Sequence, residues 1–256
     1  MQATSKRALP AAIIAGLSLV AFAAPRLHAQ QKEKTVSHEQ EFLTAVRQGD
    51  VAKVNDFLKT DRSLAGTKSA EGVSAVLLAL YHQKKEVVAA LLGTGVELNL
   101  FEASATGQEE RVKALLEKQP NLVKTHSPDG FSPLGLAVFF GQKHVAEMLL
   151  AKGAPVNEAS KNAMKVMPLH SAVAGQHTDI VRLLIDHGAD VTACQTEEFT
   201  PLHQAAANGQ MEVAELLLSR GAKVDAKTQK GKTPLDLATE NKQSKMVDLL
   251  RKHGAS

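Results

Sequence analysis

The sequence predicts an all-α repeat solenoid of about seven helix-pair units. Three observations carry that expectation. A short segment containing proline recurs at nearly constant spacing, one alanine column runs through every copy, and each copy continues into a leucine-rich amphipathic stretch.

The recurring segments are "SPLGLAVFFGQ", "MPLHSAVAGQH", "TPLHQAAANGQ" and "TPLDLATENKQ", with prolines at 133, 168, 201 and 234 and spacings of 35, 33 and 33. Counted backwards from proline as position zero, the frame falls on Asn99, Ala75 and Glu41, at spacings of 34, 24 and 34. Position +4 is then alanine in all seven copies: Ala45, Ala79, Ala103, Ala137, Ala172, Ala205 and Ala238. Position +1 is large and apolar throughout, from Phe42 to Leu235. Position +16 is likewise apolar, from Phe57 to Leu250.

Each element follows from these columns. Proline at zero suits the first turn of a helix, where its missing N–H is not needed. The preceding Ser132, Thr200 or Thr233 is a natural N-cap. Alanine at +4 lets neighbouring helices approach closely. The second helix of each unit is a stretch such as "HVAEMLLAKGA", "DIVRLLIDHGA" or "EVAELLLSRGA", and Gly153, Gly188 and Gly221 supply left-handed C-caps. Helices of about ten residues are marginal alone. Stacking buries their shared faces in one continuous core.

Ahead of the repeats, Lys6 and Arg7 precede the apolar run "LPAAIIAGLSLVAFAA". That run is shorter than the ~20 residues of a membrane span and fits a secretory signal peptide. Residues 1–29 are expected to be removed by cleavage after Ala23 or Ala29. Residues 30–37 are expected to be a polar linker, and 38–256 the repeat domain, with capping units at about 38–70 and 232–256. The chain is thus expected to be exported, periplasmic or secreted, with no membrane span after cleavage. The lone Cys194 gives it no internal disulfide.

Removing the segment also changes the charge. The 30 basic residues include Lys6, Arg7 and Arg26, so 27 remain against 27 acids. The formal +3 belongs to the precursor, and the mature chain carries no basic excess pointing to nucleic acid.

The stretches "DGFSPLGLAVFFGQKHVAEMLLAKGAPVN" and "TPLHQAAANGQMEVAELLLSRGAKVDA" resemble ankyrin repeats, whose frame includes T-P-L-H-x-A-A and L-L-x-x-G-A-x-x-N. The resemblance covers about residues 38–256 and is sharpest from Asp129 onward. It implies helix pairs with β-hairpin fingers projecting from them. It also implies that His170 and His203 make structural hydrogen bonds. The 24-residue spacing leaves no room for a finger between Leu92 and Phe101, so one is expected to be missing between units two and three. Gln119 and Lys242 stand where glycine is usual, and two extra residues lie in "NEASKNAMKV".

The resemblance implies that Phe139 and Phe140 end the first helix of unit four and face the concave groove. Phe131 lies on the finger of the same unit, so the three rings are expected to cluster, with Tyr81 on the same side beside the missing finger. The candidate partner-binding set is Phe131, Phe139, Phe140, Tyr81, His82, Val166, Phe199 and Asn208. The rings admit two readings, an exposed interaction patch or filling for the gap left by the absent finger.

Other signals lead nowhere chemical. "GKT" at Gly231–Thr233 lacks the earlier glycine of a phosphate loop, which would fall on Ala226. "HEQEF" at His38 lacks the second histidine of a zinc helix, and no nucleophile motif is present. No metal, cofactor or catalytic residue is expected. The expected function is non-catalytic binding of a protein partner by a monomer. One alternative is an enzyme or small-ligand protein using Tyr81, His82 and His126 near the short repeat. A second is self-assembly through Cys194 or an end unit.

Overall fold

The computed structural model describes residues 37–256. The expected signal peptide and nearly all of the linker lie outside the described residues. Among the described residues, fourteen α-helices form seven antiparallel pairs: α1 (His38–Gln48) and α2 (Val51–Thr60), α3 (Ala75–Tyr81) and α4 (Lys85–Leu92), α5 (Leu100–Thr106) and α6 (Glu109–Lys118), α7 (Pro133–Phe139) and α8 (Lys143–Ala151), α9 (Pro168–Ala174) and α10 (Thr178–Asp186), α11 (Pro201–Asn208) and α12 (Met211–Ser219), α13 (Pro234–Glu240) and α14 (Ser244–Lys252). The odd-numbered helices stack as an inner layer and the even-numbered ones as an outer layer.

All seven alanines of position +4 are at most 1% exposed, in the centre of the inner layer. Any larger side chain there would push adjacent units apart. The expected caps form. Ser132 accepts from Gly135 N–H, Thr200 from His203 and Thr233 from Asp236. Asn99 caps α5 through a reciprocal bond with the nearly buried Glu102.

The residue joining the two helices of a unit is left-handed in every unit. It is Gly49, Gly107, Gly141 or Gly209 in four and Gln83, Gln176 or Lys242 in three, so Lys242 adopts the glycine conformation at φ 57°. At Gly141 a side chain would also strike the His177 ring, which lies 2.6 Å from where a Cβ would stand. His177 sits there to place Nε2 3.1 Å from the Phe139 carbonyl oxygen. Gln142 reaches the Ala105 carbonyl in the same way, at 3.3 Å, so side chains of one unit tie down the inner helix of the one before.

Burial at position +16 differs in two units. Phe57 and Leu115 are only partly buried, and Leu58 and Leu116, one place later, are buried instead. In these units the outer helix runs to ten residues. It ends without glycine and passes into a 3-10 turn, Arg62–Gly66 or Pro120–Lys124, that buries Leu64 or Val123. The helix is rotated by one residue to accommodate that turn.

The fingers contain no β-strand among the described residues, only single bridges at Lys68–Ser74 and Gln195–Phe199. Tight turns close them instead, as in the bonds from Ser127 N–H to Phe131 O and from Thr228 N–H to Lys232 O. The two extra residues of the fifth unit widen one turn, which Ser160 N–H closes onto Val166 O. Adjacent fingers are joined by backbone bonds from Lys161 to Gly130, Thr196 to Met164 and Gln229 to Glu197. His170 and His203 bond the Phe199 and Lys232 carbonyls of the following finger, both at 3.1 Å.

Between α4 and α5 the chain runs directly through Gly93–Asn99, with no finger. The outer helices on either side, α4 and α6, make the weakest contact of any successive outer pair. Here the stack is open.

Candidate functional site

The absent finger determines the geometry of the site. With nothing between them, the finger before α3 approaches the finger before α7. A side chain at Gly72, whose φ is +80°, would meet Pro128 Cβ at 3.1 Å. Tyr81, the last residue of α3, sends its hydroxyl across the same gap and donates to Asp129 Oδ2 at 2.6 Å. Asp129 also accepts from the Ser127 hydroxyl. Burial, and then the charge and hydrogen bond of Asp129, hold the Tyr81 hydroxyl well above the usual phenol pKa.

Three rings gather on Tyr81. Its centroid lies 6.4 Å from Phe131 and 5.9 Å from Phe140, and Phe139 meets Phe140 edge-on at 5.0 Å. The expected cluster is therefore present. All four are half-buried. Phe131 and Tyr81 fill the missing finger's place, and Tyr81, Phe139 and Phe140 also line an open cleft of about 450 Å³. Thus the rings serve in part as filling and in part as surface.

The cleft runs from the outer helix α4 past the inner helices to unit five. Its walls include Leu80, Val88, Leu92, Phe139, Phe140 and Ala105. Val88 marks its origin. The equivalent residues Ala146, Val181 and Ala214 in other units are fully buried against the next outer helix, whereas Val88 is half-exposed because α6 stands off. Lys84 and Lys85 form the cationic rim. His82 is exposed nearby. Its pKa is lowered by desolvation and then by the positive charges of Arg47 and Lys84.

Val166, Phe199 and Asn208 are half-buried farther along the array and do not line the cleft. Phe199 packs on the His203 ring at 5.3 Å. Tyr81, His82 and His126 do not converge. Only Tyr81 borders the cleft, and His126 lies between fingers with Nε2 3.7 Å from Glu158 Oε1. Asp129, Val88 and the two lysines were not evident as site residues. The one signal for them was the short spacing, which implies that neighbours of the missing finger lose a partner.

No group of three or more His, Cys, Asp or Glu side chains is placed to hold a metal among the described residues. None of the described helices is long and apolar enough to cross a membrane. Cys194 is exposed on its finger.

Stacked helix pairs with turn fingers and an open inner groove define a helical repeat scaffold. The chain belongs to the ankyrin-repeat family: it matches the family model "Ankyrin repeats (3 copies)" over residues 100–195 and 169–256, together more than half its length. It is 27% identical over 199 residues to a probable E3 ubiquitin-protein ligase of Oryza sativa subsp. japonica, covering 63% of this chain and 40% of that protein. It is 34% identical over 124 residues to a putative ankyrin repeat protein of Rickettsia felis, covering 47% of this chain and 54% of the relative. It is also 35% identical over 106 residues to cyclin-dependent kinase 4 inhibitor B of Rattus norvegicus, covering 41% and 78%. The chain thus spans well under two thirds of the length of the first two.

Proposed function

We propose that this protein is a non-catalytic binding module that holds a protein partner in the cleft between units two and five, with Phe139 and Phe140 as the anchoring surface. The single observation that carries this reading is the half-exposed apolar wall of Val88, Leu92, Phe139 and Phe140, opened where the finger is absent. Burying one such ring in a partner contributes about 1.5–3 kcal/mol. The mostly apolar lining, and the failure of Tyr81, His82 and His126 to converge, favour binding over catalysis. That a relative is named as a kinase inhibitor agrees with a binding role.

The test is a pull-down from the native cell with wild-type protein, Phe140→Ala, Phe131→Ala and the cleft-wall variant Thr106→Glu, each checked for folding by circular dichroism. Partners captured by wild type are lost with Phe140→Ala and Thr106→Glu. Equal capture by all four proteins overturns the assignment of the site.

The second part of the proposal is export, supported by Lys6, Arg7 and the apolar run from Leu9 to Ala24. Amino-terminal sequencing of the native protein should begin at Ala24 or Gln30. A start at Met1 or Gln2 in a cytoplasmic fraction overturns it.

A further inference from the structure

The cleft is not only apolar. Lys84 and Lys85 stand at its rim, and neither makes an ion pair among the described residues. Lys84, in the position of Gln142 and His177, leans over Gly49 of unit one, with Nζ 3.2 Å from where a Cβ would stand. The isolation of Lys85 has a separate structural cause. Lys143 occupies in unit four the position that Lys85 occupies in unit two, and it pairs with Asp179 of the next unit at 3.5 Å. The residue equivalent to Asp179 opposite Lys85 is Glu110, at the start of α6. The acid is present in the chain, yet the two do not pair, because α6 is set back where the finger is missing. Arg182 with Glu212 and Arg220 with Asp186, both at 3.2 Å, show the cross-unit pairing that tight junctions allow.

Arg47, from the end of α1, adds to the same positive edge and acts with Lys84 on His82. Two acids accompany this edge: Glu71, whose carboxyl is held low first by bonds from Ser69 and its own backbone and less by Arg47, and Glu86 in the first turn of α4. At the other end of the array Glu240 is paired with Lys232. The groove therefore combines an apolar floor with a positive edge at Lys84 and Lys85 that makes no ion pair among the described residues.

We propose, resting on the binding function above, that the occupant is a peptide segment of a partner in which an aromatic or aliphatic side chain is followed closely by carboxylates. The apolar side chain enters between Val88, Leu92 and Phe140, and the acids meet Lys84 and Lys85. Complementary charge of this kind selects the partner and its direction in the groove more than it adds affinity.

The test uses three series of fluorescently labelled octapeptides, each with one central Phe or Leu, flanked by Asp and Glu, by Lys and Arg, or by Ser and Gly. Anisotropy against the full chain should show the acidic series binding about tenfold or more tightly than the others, with the advantage shrinking as salt rises. Lys84→Glu combined with Lys85→Glu, both outside the core, should remove that advantage and favour the basic series. Val88→Asp should weaken every series.

Equal binding of the acidic and neutral series overturns the proposal, as does an acidic preference that survives the double substitution. Failure of all three series overturns it too. If the pull-down still loses its partners with Thr106→Glu in either case, the groove stands and only the partner's chemistry is wrong. Concentration-dependent dimers in sedimentation that vanish with Lys85→Glu would replace the peptide with a second copy of this chain, and also overturn the proposal.

Discussion

Tyr81 and Asp129 are 48 residues apart and joined by a 2.6 Å hydrogen bond that crosses the place of the missing finger. A finger there would separate them. Without it, unit two reaches past unit three to grip the finger of unit four. This link and the rings around it brace the one junction where the outer helices part.

Removing the Tyr81 hydroxyl should therefore cost stability without removing the cleft. Tyr81→Phe is expected to lower unfolding free energy by about 1 kcal/mol in urea titrations. Combined with Asp129→Ala it should show a coupling of similar size in a double-mutant cycle. Strict additivity would mean that the bond contributes nothing in solution.

The alanine column makes a sharper demand. Ala137 and Ala205 are 0% exposed between neighbouring inner helices. Ala137→Leu and Ala205→Leu should each overpack the contact and cost about 1–3 kcal/mol. Denaturation midpoints like those of wild type for both would contradict the stacking described here.

Two neighbouring turns should respond oppositely to substitution. Gly141 has φ +76° and the His177 ring against it, so Gly141→Ala should cost about 1 kcal/mol or more. Gln176 adopts φ 63° with its side chain exposed, and Gln176→Gly relieves that strain while loosening the unfolded chain. It should leave stability within about 0.5 kcal/mol of wild type, or raise it. Thermal melts of the two variants check the contrast.

Acid should weaken the array through its buried histidines. Desolvation pushes His170 down to about 4, against the bond to the Phe199 carbonyl, which favours the protonated ring. His203 is lowered for the same first reason. Between pH 6.5 and about 4 the unfolded chain binds more protons at His170 than the folded one, so stability falls as pH falls through that window. Complete loss of this contribution is on the order of 3 kcal/mol for His170. Urea midpoints measured across the window should decline, and His170→Asn should flatten the decline while lowering the midpoint at neutral pH. An unchanged slope in the variant would show that His170 is not the group responsible.

The number of units, the alanine contacts, the caps and the absent finger were all legible because each depends on local spacing and on residue size at a repeated position. Clustering of Phe131, Phe139 and Phe140 was legible for the same reason, since one unit carries all three. The rotation of α2 and α6 was not, because it depends on how Leu64 and Val123 pack in the turns that follow. Nor were the strandless fingers, whose form is set by single bonds between neighbouring turns.

Residue order alone specified a seven-unit ankyrin stack and the site of its interruption, since nearest-neighbour packing in a solenoid repeats the same local rule. What the interruption becomes was decided in three dimensions. The cleft at Val88 and the isolation of Lys85 among the described residues depend on the separation between α4 and α6, and the bond from Tyr81 to Asp129 on the approach of two fingers across the gap. That separation is a balance of packing across a junction and cannot be read from either helix.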